Sequence, residues 1–289
     1  MAVMNDSAPA KRHRLPLAAG PLVVTELGPP AALPLVFLHG VLANGALWTG
    51  VADRLAPDHR CLLLDLPLGA HPEPMNADAD LSPSGVVAVV IDALDRLGIE
   101  RAILVGNDSG GALCQLMIAA HPHRLRALVL TSSDAYDTWL PFMFKPLELM
   151  AFVPGLLRIV ALLLQWPPLR RSPVGFGWLS KRITDADSAA FVTPLARAPW
   201  ARRDLGKFLR GISPRLTRSA AQHFADFAAP VLILWSRDDR LLPLRLGLRL
   251  ASDLPRSRLE LVTDSYTFSP VDAPEAVAQA IDRFVRELA

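Results

Sequence analysis

The sequence predicts an α/β fold, a mostly parallel sheet covered by helices on both faces with a helical segment inserted between two strands. Two observations carry this. Short, continuous apolar runs alternate with helical patterns through the first 135 residues, then stop between 136 and 223, and then resume to the C-terminus. Runs of this kind, without apolar–polar alternation, are what strands buried on both faces require, and strand–helix alternation implies crossover connections within one parallel sheet.

Taken in order, Lys11, Arg12 and Arg14 precede a mildly apolar stretch, 15–24, broken by prolines and glycine. It reads as a first strand or hairpin rather than a signal peptide, with 1–13 as an N-terminal tail. Strand runs follow at 35–38, 61–64, 102–105 and 127–130, separated by helical patterns at 46–55, 83–97 (Ser82 as N-cap) and 109–120. Residues 14–135 thus form the first part of a core domain. From 136 to 223 no strand run occurs and nine prolines interrupt short apolar helices, so this stretch is a helical insert. The core resumes over 224–289 with a strand at 231–235, a helix near 244–253, a strand at 259–262 and a helix at 274–288. The most apolar stretch, 147–166, contains Glu148, Pro154-Gly155 and Arg158, and so lacks the uninterrupted run of ~20 residues that a membrane span needs.

Composition excludes several classes. The chain has 289 residues, 51% hydrophobic, with a net charge of +2, so neither intrinsic disorder nor a nucleic-acid-binding design fits. Cys61 and Cys114 lie in apolar surroundings and read as reduced core thiols; no metal or cofactor motif is present. A soluble, cytoplasmic protein acting on a small molecule is the expectation, and the oligomeric state is not encoded in any pattern. The near-neutral total hides an asymmetry: the insert carries +8 and the remainder −6. The basic insert reads first as a solvated outer face and second as an attraction for an anionic substrate or a membrane surface. Its aromatic residues, Trp139 among them, would line an apolar pocket if poised over the end of the sheet.

The most informative segment is Gly106-Asn107-Asp108-Ser109-Gly110, joining a strand to a helix. Small residues two before and two after a central residue allow a sharp, strained turn that lifts that side chain above the sheet. Asp108 holds this central position; centring the turn on Ser109 would put Asn107 where the first glycine belongs.

With this turn the chain resembles the α/β-hydrolase superfamily. The tripeptide Leu38-His39-Gly40 looks like the family's oxyanion turn, the insert matches its cap, and the segment from Ser236 to Pro243 resembles the loop bearing the catalytic acid. Asp239, four residues before Pro243, fits the acid position, with Asp238 as the alternative. An aspartate nucleophile implies the branch similar to haloalkane dehalogenases and epoxide hydrolases, since carboxylate attack on an alkyl carbon gives an ester that an activated water then hydrolyses. The resemblance places a histidine in the loop before the last helix. Here Phe268 and Pro274 align with the family pattern and Thr267 stands at the histidine position, with no histidine among the last 66 residues. Ser109 and Val41 stand where dehalogenases carry halide-holding residues, and the chain has only Tyr136 and Tyr266, against the paired cap tyrosines of epoxide hydrolases.

The candidate catalytic residues are therefore Asp108, Asp239 and Asp134, three carboxylates that converge at one rim if the fold is as expected; in a poorly solvated site they cannot all ionise. Val41 and Ser109 are candidate oxyanion donors through their backbone N–H groups. His39 is expected to pack beneath the oxyanion turn, Asn107 to stabilise the elbow, and Thr267, Tyr266 and Trp139 to border the substrate. Three functional readings remain open: an alkyl-ester hydrolase, a non-hydrolytic isomerase, lyase or cyclase using Asp108 and Asp239 for proton transfer, and a non-catalytic ligand-binding protein.

Overall fold

The computed structural model describes residues 10–288 and shows one eight-stranded sheet in the order β1-β2-β4-β3-β5-β6-β7-β8. Strands β1 (Lys11–Leu17) and β2 (Gly20–Leu27) form a hairpin across Ala18-Ala19, with Gly20 at a positive φ of 122° that an L side chain rarely adopts. The sheet thus starts at Lys11, so residues 11–13 of the expected tail are strand; the rest of that tail, up to residue 9, lies outside the described residues. A short 3₁₀ turn and α1 (Thr49–Leu55) join β3 (Pro34–Leu38) to β4 (Arg60–Leu64). Then come α2 (Pro83–Arg96), β5 (Ala102–Asp108), α3 (Ser109–Ala120) and β6 (Leu125–Ser133). The start of α2 follows from local chemistry: Ser82 Oγ accepts the Gly85 N–H at 3.2 Å and Pro83 occupies the first turn, where its missing N–H costs nothing.

Six short helices fill the insert: α4 (Lys145–Met150), α5 (Leu156–Leu163), α6 (Pro167–Arg170), α7 (Asp185–Arg197), α8 (Pro199–Gly211) and α9 (Pro214–Ala221). Pro146, Pro167, Pro199 and Pro214 each sit in a first turn, so these prolines start helices rather than breaking them. The core closes with β7 (Val231–Ser236), α10 (Leu244–Asp253), β8 (Ser257–Val262), α11 (Ser269–Asp272) and α12 (Pro274–Arg286).

The hairpin and the β2–β4 pair are antiparallel, whereas β4, β3 and β5 to β8 run parallel. Along β3, Val36 and Leu38 enter the apolar layer on one face of the sheet while Leu35 and Phe37 enter the other, and Leu62/Leu64 against Cys61/Leu63 divide the same way on β4. All four β3 residues from Leu35 to Leu38 are wholly buried. That two-sided burial is the physical origin of the continuous apolar runs. The insert is fastened to the core by a buried pair: Asp204 of α8 accepts from His71 Nε2 (3.2 Å) and from the Met75 N–H (3.1 Å), both in the connection after β4.

Candidate active site

Asp108 ends β5 and opens α3 with φ 53° and ψ −126°, a strained conformation for a residue bearing a Cβ. Its neighbours explain how the strain is held. A Cβ on Gly106 would come within 2.7 Å of the Gly110 carbonyl oxygen, and one on Gly110 would overlap the Leu38 carbonyl. A Cβ on Gly40 would overlap the Asp108 carboxylate itself, which lies directly against the turn following β3. The glycines are therefore demanded by backbone and side-chain proximity, as the spacing predicts.

Burial pushes the Asp108 carboxyl up to about 7 and the charge of Asp239 adds to this, while the N–H groups of Ser109 and Val41 pull it back toward ionisation. The backbones of Val41 and Ser109, the expected oxyanion donors, thus lie beside the Asp108 carboxyl. Burial, followed by the Asp108 charge, holds Asp134 well above the ordinary carboxylate range; the Ser109 hydroxyl, donating to its Oδ2 at 2.8 Å, acts in the opposite sense. Burial also raises Asp239, against the N–H groups of Leu242 and Leu241 and the Thr267 hydroxyl. Asp108 is the common member: the charge of Asp239 acts on it and its own charge acts on Asp134, each adding to the effect of burial.

Thr267 is wholly buried and its Oγ1 donates to Asp239 Oδ1 at 2.9 Å. The same oxygen accepts the N–H groups of Leu241 and Leu242, leaving Asp239 Oδ2 buried without a partner. The Thr267 carbonyl accepts from Asn107 Nδ2 at 2.8 Å, and the same amide reaches Thr131 Oγ1 at 2.9 Å. Asn107 therefore ties the elbow to β6 and to the loop carrying Thr267. His39 is wholly buried: its Nδ1 lies 2.9 Å from the Gly40 carbonyl oxygen and its Nε2 accepts the Leu66 N–H at 2.9 Å. Burial drops its pKa to about 4, so it is a neutral strut beneath the oxyanion turn.

Beside Asp108 lies a cavity of about 70 Å³. Its walls are apolar and come from two sources: Val41 and Leu42 from the turn after β3, and Leu140, Phe144, Leu164 and Phe176 among others from the insert. Leu42, Asp108 and Leu140 are three of the five non-glycine residues with positive φ among the described residues, so backbone strain gathers at this cavity.

None of the three expected substrate-bordering residues is a wall of this cavity: Thr267 is turned to Asp239 instead. Trp139 is wholly buried against Phe208, ring centroids 6.3 Å apart, inside the insert. The Tyr266 ring is flanked by Lys181 and Arg240 at 4.9 and 4.7 Å, and its backbone rather than its ring serves the loop. Residue type alone could not reveal these directions. Asp272 was missed: it accepts the Tyr266, Lys181 and Arg182 N–H groups and the Ser180 hydroxyl, stitching the insert to the loop after β8. No motif marks it. Cys61 and Cys114 are buried free thiols. Among the described residues no cluster of three His, Cys, Asp or Glu side chains is arranged to hold a metal ion.

An eight-stranded sheet with a glycine-flanked strand–helix turn, an acid-bearing loop after β7 and an inserted helical segment define an α/β hydrolase. The chain belongs to the alpha/beta hydrolase fold family, whose profile matches residues 34–274. It is similar to the 2-hydroxy-6-oxononadienedioate/2-hydroxy-6-oxononatrienedioate hydrolase of Cupriavidus pinatubonensis, 28% identical over 237 residues and 78% of each chain. A second hydrolase of that name from Pseudomonas putida is 27% identical over 233 residues, again 78% of each. Among solved structures, the haloalkane dehalogenase DbeA of Bradyrhizobium elkani superposes with a TM-score of 0.78 at 18% identity, over 97% of this chain and 99% of that one. That last likeness is one of fold.

Proposed function

We propose that this α/β hydrolase acts on small apolar alkyl electrophiles, with Asp108 as the nucleophile and the helical insert as the cap over its site. The observation that carries the reading is the placement of the Asp108 carboxylate: on a strained elbow, against the N–H groups of Val41 and Ser109, at the wall of an apolar cavity. An Asp108 oxygen attacks an sp³ carbon of the substrate; a C–O bond forms, and the bond to the leaving group breaks with its electron pair departing on that group. The product is an alkyl ester of Asp108. Hydrolysis of that ester requires water to add at the Asp108 carboxyl carbon while a base removes its proton. Thr267 cannot serve, because a hydroxyl accepts no proton near neutral pH. Asp239 Oδ2, buried without a partner, is the remaining acceptor, and deacylation is slow.

Intact-protein mass spectrometry after incubation with bromoalkanes and terminal epoxides tests this. One adduct per chain, absent from Asp108→Asn, is the expected result; neither adduct nor turnover with any alkyl electrophile would sink the nucleophilic reading. The formation rate rises with pH through about 7, because only the ionised Asp108 attacks.

A second reading is favoured by that same value. A carboxyl balanced near neutrality beside other aspartates suits proton transfer, hence an isomerase, lyase or cyclase. It predicts turnover that both Asp108→Asn and Asp239→Asn suppress, with no covalent species at any time point.

A further inference from the structure

Nine of the eleven large apolar side chains exposed among the described residues fall between Phe142 and Val174, within the insert. On α5, Ile159, Leu162 and Leu163, with Trp166 one turn further, recur at three- and four-residue spacing and share one outward face. Trp166 is 63% exposed, and Phe152 at the preceding turn 64%. The opposite side of the same helix is packed inward: Leu157 and Ala161 are buried, and Val160 and Leu164 are walls of the Asp108 cavity. An apolar face of this extent is uncommon on a protein surrounded by water on all sides.

The charges around it are one-sided. Arg158 projects from α5 and lies near enough to Arg202 of α8 to lower the pKa of Arg202, after burial has done so. Arg202 Nη1 donates to the Leu195 carbonyl and Arg210 Nη1 to the Ala151 carbonyl at 2.8 Å, between α4 and α5. Among the described residues none of these three guanidinium groups has a carboxylate within ion-pair distance, although most other arginines of the insert do. The surface therefore joins an apolar face to uncompensated cations, in a segment with a net charge of +8.

We propose that this face docks on an anionic lipid bilayer, with Ile159, Leu162, Leu163 and Trp166 entering the boundary of the acyl chains and Arg158, Arg202 and Arg210 meeting lipid phosphates. Charge selects this occupant over a second copy of the chain, since pairing two copies through this face would bring two strongly basic inserts together. The docking is independent of the chemistry assigned to Asp108. Its consequence is that α5 separates the bilayer from the cavity by the thickness of one helix.

Co-sedimentation of the full chain with vesicles tests the docking. Vesicles containing a quarter phosphatidylglycerol bind the protein at low salt and shift its tryptophan emission to the blue; pure phosphatidylcholine vesicles bind far less. Replacing Arg158 or Arg202 by alanine lowers partitioning about fivefold each, and the pair Leu162→Glu with Leu163→Glu lowers it about a hundredfold. Trp166→Phe retains binding and loses most of the blue shift. Melting curves for each variant confirm the fold, since all the altered side chains are on the surface apart from Arg202. Failure to bind anionic vesicles overturns the proposal, as does binding that survives the double glutamate change. A dimer in sedimentation equilibrium that Leu162→Glu dissolves, without vesicle binding, assigns the face to a second copy instead.

Discussion

The turn after β5 and the loop after β8 lie against each other, joined by Asn107, yet they are held in opposite ways. The first keeps every small residue that its geometry needs, because Gly40, Gly106 and Gly110 each face backbone or the Asp108 side chain at distances no Cβ tolerates. The second is anchored through its backbone, independently of the Thr267 side chain. Ser236 Oγ donates to the Tyr266 carbonyl, Asp272 accepts the Tyr266 N–H, Asn107 donates to the Thr267 carbonyl, and the Phe268 N–H reaches the Leu179 carbonyl at 2.7 Å. One region is fixed by excluded volume, the other by main-chain hydrogen bonds. The comparison teaches that one site can combine positions where only a small residue fits with positions whose side chain is not needed to hold the main chain.

The largest expected effect tests the chemical half of that contrast. Thr267→His places an imidazole beside Asp239, where Thr267 Oγ1 now sits 2.9 Å from the carboxylate. Hydrolysis of a preformed Asp108 ester then accelerates by roughly 10²- to 10⁴-fold, the range supplied by a positioned base. Stopped-flow or timed mass spectrometry of adduct decay measures it; an unchanged decay rate in a folded variant would show that the loop no longer positions a base. The steric half predicts a stability loss. Gly110→Ala drives a Cβ into the Leu38 carbonyl and costs about 3 kcal/mol in urea unfolding, whereas Gly98→Ala, with open space around it but φ of 67°, costs only about 1.

Another effect depends on pH. Burial raises the Asp108 pKa in the folded chain, so the folded state is penalised increasingly as pH rises from 3.8 to about 7, and fully above it. Asp108→Asn removes this penalty. The variant gains about 4 kcal/mol over the parent at pH 8, and the gain shrinks as pH falls toward 5; a gain that grew toward acid pH would contradict the sign. Least of all, Thr267→Val deletes one of three donors to Asp239 Oδ1 and costs about 1 kcal/mol by thermal melting, with the loop unmoved.

The same contrast governs what the sequence reveals. Strands such as 35–38 were legible because burial on both faces leaves only apolar residues, and the elbow was legible because steric exclusion permits only small ones. Asp108 and Asp134 were legible as candidates from their places at the ends of β5 and β6, and Asp239 from the loop after β7. The cavity walls were not legible, since Leu140, Phe144 and Phe176 reach it through packing of the insert, which no spacing records. Trp139 and Tyr266 show the same limit from the other side: an aromatic residue near a site can face the interior or stack between cations equally well.

The Asn107 amide donates to the carbonyl of residue 267 and touches nothing of its side chain. Every amino acid offers that carbonyl. The main chain is therefore held whichever residue stands there, and the buried Thr267 side chain adds a separate bond of its own, to Asp239. A change of residue at 267 thus alters what meets Asp239 while leaving the bond between this loop and the turn after β5 in place.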